Sequence, residues 1–133
     1  MKLEMEEIFF INALDAETGV IAKDCIISPK MVTFLVKNED MGKAIGPKGI
    51  KIKNLSKKLG RKVELLAFFE SPEEFFRKAF PETEFGEIKK EQNSLVLQIN
   101  SMEKKRMMQD TGKFKRIKKI AERNYNITGI KMK

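Results

Sequence analysis

The chain has 133 residues, 41% of them hydrophobic and 35% charged, and carries a formal net charge of +8. That is a globular composition with room for one ordinary domain or two very small ones, and it excludes a disordered chain. There is no histidine, which removes the usual metal ligand and general base; the single cysteine excludes an internal disulfide; and the positive charge points to a polyanionic partner.

The first residues, Met1-Lys2-Leu3-Glu4-Met5-Glu6-Glu7, are acidic where a secretory signal is basic, and Ile8-Phe9-Phe10-Ile11 is far too short to cross a bilayer. A cytoplasmic protein with no membrane partner is therefore expected. Apolar spacing predicts a helix near 4–14, a strand near 22–27 that buries Cys25, a turn at Pro29 and a second strand over 31–37. A short helix near 40–45 runs into Gly46-Pro47-Lys48-Gly49, and a helix over 50–59 stops at Gly60. Ile52, Leu55 and Leu59, at i, i+3 and i+7, form a core stripe that turns the lysines of this helix outward. A strand, Val63–Phe68, follows.

The second half opens on Ser71-Pro72-Glu73-Glu74, a capping box with Ser at the N-cap, Pro at the first helical position and Glu two residues later. That helix is ended by Pro81. Strands are expected near 85–91 and 94–100, a short helix at 102–108, and a helix over 112–123 with Phe114, Ile117, Ile120 and Ala121 inward. A final strand is expected over Ile127–Lys131. The two halves repeat one another: Glu6-Glu7-Ile8-Phe9-Phe10 returns as Glu73-Glu74-Phe75-Phe76, and the strand Met31–Val36 returns as Ser94–Ile99, offset by about 62–67 residues.

Charge is concentrated in two blocks. Residues 41–62 hold eight Lys or Arg and no acid; a second block carries Lys113, Lys115, Arg116, Lys118, Lys119 and Arg123. The glycine-bracketed turn lies within the first block. The order helix, strand, strand, helix, Gly-x-x-Gly, helix, strand resembles a KH domain of the type II topology. The phrase Asp40-Met41-Gly42-Lys43-Ala44-Ile45-Gly46-Pro47-Lys48-Gly49, with Ile52-Lys53, is similar to the archaeal NusA-like transcription factors. The resemblance covers nearly the whole chain. It implies an α+β fold of two tandem type II KH domains, each a three-stranded sheet packed on helices: residues 1–70 with an intact loop, 71–133 with a degenerate one. It further implies a non-catalytic factor in transcription elongation, termination or antitermination that captures nascent single-stranded RNA. RNA polymerase would be a further partner, and neither a cofactor nor a small-molecule substrate is expected.

The residues give this a physical footing. Gly46 and Gly49 have no Cβ, so sugar-phosphate can approach the main chain, and the start of the following helix offers free N–H groups to a phosphate. Lys43, Lys48, Lys51 and Lys53 supply cations, and Ile45 and Ile50 an apolar floor for unstacked bases. Pro47 departs from the family pattern and removes one loop N–H. In the second half the loop is Gln109–Gly112 or Met108–Thr111, depending on the anchor of the alignment. Either way the first glycine is gone and Asp110 puts negative charge where a phosphate would sit. Lys113, Lys115, Arg116 and Lys119 would still attract RNA, so this unit either extends the RNA track or serves as a scaffold. Three other readings compete: a ribosome-associated KH protein, a helix-turn-helix binder of duplex DNA, and an enzyme, for which no constellation of residues exists.

Overall fold

The structure, a computed structural model, describes residues 4–133 and divides into two compact units, Met1–Phe68 and Phe69–Lys133. Each is a three-stranded sheet packed against helices, and the second repeats the element order of the first.

The first unit opens with α1 (Met5–Thr18), started by a Glu4/Glu7 capping box in which Glu7 Oε1 accepts the Glu4 N–H at 2.9 Å. It runs four residues past the expected end, because nothing in Asp15–Thr18 breaks it; Gly19, in the left-handed conformation, is the stop. β1 (Asp24–Ser28) and β2 (Met31–Lys37) form an antiparallel hairpin with Ser28 opposite Met31. α2 (Met41–Ile45) and α3 (Ile50–Leu59) then cross over to β3 (Lys62–Phe68), which pairs parallel to β2 with Val32 opposite Val63. A parallel pair requires such a crossover, and the crossover is where the glycine loop sits.

The core of this unit gathers Phe10, Ile11 and Leu14 from α1, Cys25, then Val32, Phe34 and Val36 from β2, Ala44, Leu55 and Val63. Ile52 and Leu59 pack against it, as their spacing predicted. Burying side chains of this size contributes about 1.5–3 kcal/mol each, so α3 is anchored rigidly beneath the loop it carries.

The second unit repeats the order with α4 (Pro72–Ala79), β4 (Ile88–Glu91), β5 (Ser94–Leu97), α5 (Ser101–Met107), α6 (Thr111–Tyr125) and β6 (Gly129–Met132). Again one strand pair is antiparallel and the other, flanking the crossover, parallel. Ser71 Oγ accepts the Glu74 N–H at 3.1 Å, the cap read from the sequence. The strands are shorter than expected: residues 85–87 lie outside β4, although Gly86 and Glu87 still exchange backbone hydrogen bonds with Gln98. Aromatic side chains fill this core, with the Phe76 ring 5.1 Å from Phe80, 5.9 Å from Phe85 and 6.5 Å from Phe114. They pack on one another.

Candidate nucleic-acid interface

In the first unit the loop joining α2 to α3 is built from unusual backbone. Gly46 adopts φ 76, ψ 170, a region essentially closed to residues with a Cβ. An added Cβ there would stand 2.7 Å from Lys51 Cγ and 3.1 Å from the Lys51 backbone nitrogen. The Lys51 stem therefore occupies the space that the missing side chain leaves. Pro47–Gly49 make a single tight turn in which the Gly49 N–H donates to the Gly46 carbonyl at 3.1 Å. Lys48 (φ 55, ψ 24) and Gly49 (φ 74, ψ 19) are both left-handed, and a Cβ on Gly49 would meet nothing within 4 Å.

This turn aims the main chain at the start of α3, whose N-cap is Gly49 and which no side chain caps. The helix carries no acidic residue in its first turn, so its positive end is uncompensated by the protein itself. Pro47 and Lys48 are exposed around it, and Ile45 and Ile50, 36% and 50% exposed, flank it with apolar surface. Lys53 is exposed on α3; Lys51 is half-buried by the packing just described. Lys43 is exposed as well, but its stem leans over the end of α1, with Cε 3.3 Å from where a Gly19 Cβ would be. α1 has no basic residue in its last turn, and this ammonium supplies one.

Some of the basic block is structural. Lys58 Nζ lies 2.8 Å from Glu17 Oε1 on α1. The Arg61 guanidinium donates to the Ser28 carbonyl at 3.2 Å and stacks 5.1 Å above the Phe10 ring. These two cations tie α3 and its flank to the rest of the unit.

In the second unit neither four-residue window is a loop, because Thr111 and Gly112 already belong to α6. The connection from α5 is Met108–Asp110, one residue shorter than its counterpart, and none of its residues has positive φ. Asp110 is the N-cap of α6, and its Oδ1 accepts the Lys113 N–H at 3.0 Å. A carboxylate of the protein thus occupies the place that the first unit leaves open. Sequence reasoning saw the charge at Asp110 but missed its bond; an Asp directly ahead of an apolar-periodic helix was the available signal. The candidate cations behave differently from one another. Lys115 and Lys119 are exposed, as is Lys118. Arg116 is half-buried, and the Lys113 ammonium sits 5.2 Å over the Phe80 ring, directed onto the core's aromatic edge.

Among the described residues, no group of three or more His, Cys, Asp or Glu could hold a metal ion, and no helix is long and apolar enough to cross a membrane.

Residues 5–67 match the KH domain family model. Over 99% of its length the chain is 29% identical to the probable transcription termination protein NusA of Methanocaldococcus jannaschii, of which it covers 75%. The protein of the same name from Methanococcus vannielii is 32% identical over 74% of this chain and 58% of that protein. The one from Halococcus morrhuae is 24% identical over 86% of each. Among solved structures, the crystal structure of APE1850 superimposes with a TM-score of 0.81 at 22% identity, over 98% of this chain and 100% of that one.

Proposed function

We propose that this chain, a KH-domain protein similar in sequence to archaeal NusA-like factors, is a non-catalytic single-stranded RNA-binding protein of the transcription machinery. It is organised as two KH domains, residues 1–70 and 71–133. One observation carries the reading: a left-handed Lys48–Gly49 pair exposes the uncapped, acid-free start of α3 beside two exposed isoleucines. A phosphate of the RNA backbone docks at that helix start, where N–H groups and the helix dipole favour an anion. Lys48 and Lys53 face outward beside it, and Lys43 and Lys51, whose stems pack on the fold, add to the positive field; Gly46 and Gly49 allow the close approach, and Pro47 holds the turn. Unstacked bases lie against Ile45 and Ile50.

In the second unit the Asp110 carboxylate fills the corresponding position. That unit contributes long-range attraction through Lys115 and Lys119, with Lys113 and Arg116 behind them, rather than a second clamp. The transcription role rests on the names of the relatives, and RNA polymerase is the protein partner it implies. The binding test is a titration of the full chain with single-stranded RNA, single-stranded DNA and duplex DNA at two salt concentrations. Single-stranded RNA is expected to bind tightest, with log K falling against log salt by about 0.7 per phosphate engaged. A preference for duplex DNA would refute the reading.

A further inference from the structure

Helix α1 carries a second surface that RNA binding leaves unused. Its inward face buries Phe10, Ile11, Leu14 and Thr18. On the opposite face Met5, Phe9, Asn12 and Ala16 follow one another at i, i+4, i+7 and i+11, with Ile8 beside them. Met5 is 86% exposed, Phe9 65% and Ile8 42%. The helix is therefore apolar on both sides, which a surface helix needs only when something covers the second side.

The repeat supplies an internal control. α4 holds the same place in the second unit and buries Phe75, Phe76 and Ala79, yet its exposed positions are Glu74, Arg77 and Lys78. The fold is satisfied by a charged outer face, so the apolar one on α1 is not imposed by architecture. Charge sets the occupant. Residues 4–18 contain Glu4, Glu6, Glu7, Asp15 and Glu17 and no cation, in a chain whose net charge is +8; Glu17 is paired with Lys58, which leaves Glu6 and Asp15 as the exposed acids beside the stripe. Glu6 lies along one border of the apolar stripe and Asp15 along the other.

We propose that this face docks a partner protein through an amphipathic helix whose apolar side is bordered by Lys and Arg. Nucleic acid and anionic membrane are repelled by the carboxylates. Two copies of α1 meeting face to face would set like charges against one another. Apolar anchoring by Phe9 and Met5, with a basic rim on the partner, matches the usual division between interface core and periphery. The surface lies outside the glycine loop, so protein and RNA bind independently.

The test is an NMR titration of the full chain with a synthetic 14-residue amphipathic helical peptide of leucine and lysine, alongside its leucine–glutamate counterpart. The Leu–Lys peptide should saturate, with amide shifts confined to residues 5–18 and affinity at least tenfold above that of the Leu–Glu peptide. Met5→Gln with Phe9→Gln should lower that affinity at least tenfold while leaving the helix and RNA affinity intact, since both side chains are exposed. Equal binding of both peptides, shifts elsewhere, no binding, or concentration-dependent self-association of the chain through Phe9 would each overturn the proposal.

Discussion

Replacing Lys48 by glycine should move stability and RNA binding in opposite directions. Lys48 is the only residue of the loop with a side chain and positive φ. A left-handed conformation costs an L-residue about 1–2 kcal/mol, and glycine escapes that cost. Glycine also has more freedom to lose on folding, worth about 0.5–1 kcal/mol the other way. The net expectation is a first unit unchanged or up to about 1.5 kcal/mol more stable, a shift of no more than about 6–12 °C in the melting of a domain this size. RNA binding loses one exposed ammonium. If that ammonium engages one phosphate, the salt slope falls by about 0.7, which at 0.1 M salt is about fivefold in affinity.

Denaturant unfolding and fluorescence anisotropy on the same preparation read both quantities. Lys48→Asn controls for flexibility, since asparagine also tolerates the left-handed region. The outcome that sinks the reasoning is unchanged affinity and slope in a variant of undiminished stability, for then Lys48 does not face the strand. The glycines are poorer probes. A side chain on Gly46 would collide with Lys51 and strain a backbone that only glycine adopts comfortably, so lost binding would be confounded with damaged structure.

Asp110→Asn keeps an N-cap of similar strength while removing the negative charge at the start of α6. Anisotropy should show tighter single-stranded RNA binding if α6 adjoins the strand, and unchanged affinity would assign the second unit to scaffolding. Tyr125→Phe removes a hydroxyl that donates to the Phe69 carbonyl at 2.6 Å and accepts the Phe69 N–H at 3.1 Å. Unfolding should show a loss of about 1–3 kcal/mol, the cost of leaving such groups unpaired. Burial pushes the Tyr125 phenol up to about 12, against the lowering effect of its bond to Phe69 and with a smaller push from Glu70. Between pH 10 and 12 the unfolded chain thus holds fewer protons than the folded one, and stability falls as pH rises. The wild type should lose its advantage over Tyr125→Phe across that window; a constant gap would contradict the burial of the phenol.

What the sequence disclosed and what it hid divide along physical lines. Periodicity placed α3 at Ile50–Leu59 and its core stripe at Ile52, Leu55 and Leu59, because a helix packed on a sheet must repeat apolar residues at that spacing. The β2 strand, Met31–Lys37, was equally plain as a run of strand formers between turns. The cap at Ser71 was a local bond between residues three apart, and local bonds leave local signatures. Tertiary ties left none: Arg61 over Phe10, Lys58 on Glu17, Lys113 over Phe80 and Lys43 over the end of α1 join residues whose proximity only the fold creates. A basic block therefore looked uniform in sequence, while the structure divides it into cations that hold the fold and cations that face outward. The backbone geometry of the second connection was hidden for another reason, since aligning it on the first assumed equal length, and it is one residue shorter.

That difference in length goes with a difference in how the two helix starts are closed. A helix start leaves unpaired N–H donors that some acceptor must satisfy. In the first unit two left-handed residues carry the chain into α3; the Ile50 N–H donates to the Pro47 carbonyl, and Gly49 at the N-cap has no side chain to accept from the donors that follow. In the second unit, three residues in ordinary conformations place Asp110 where its carboxylate closes the helix itself. An N-cap aspartate stabilises its helix by only a few tenths of a kcal/mol relative to glycine. The first unit forgoes that stabilisation at α3 and keeps Lys48 in a strained conformation besides. Both costs fall at one spot, within a block of eight Lys or Arg and no acid over residues 41–62, which is the pattern expected where stability has been yielded to ligand capture.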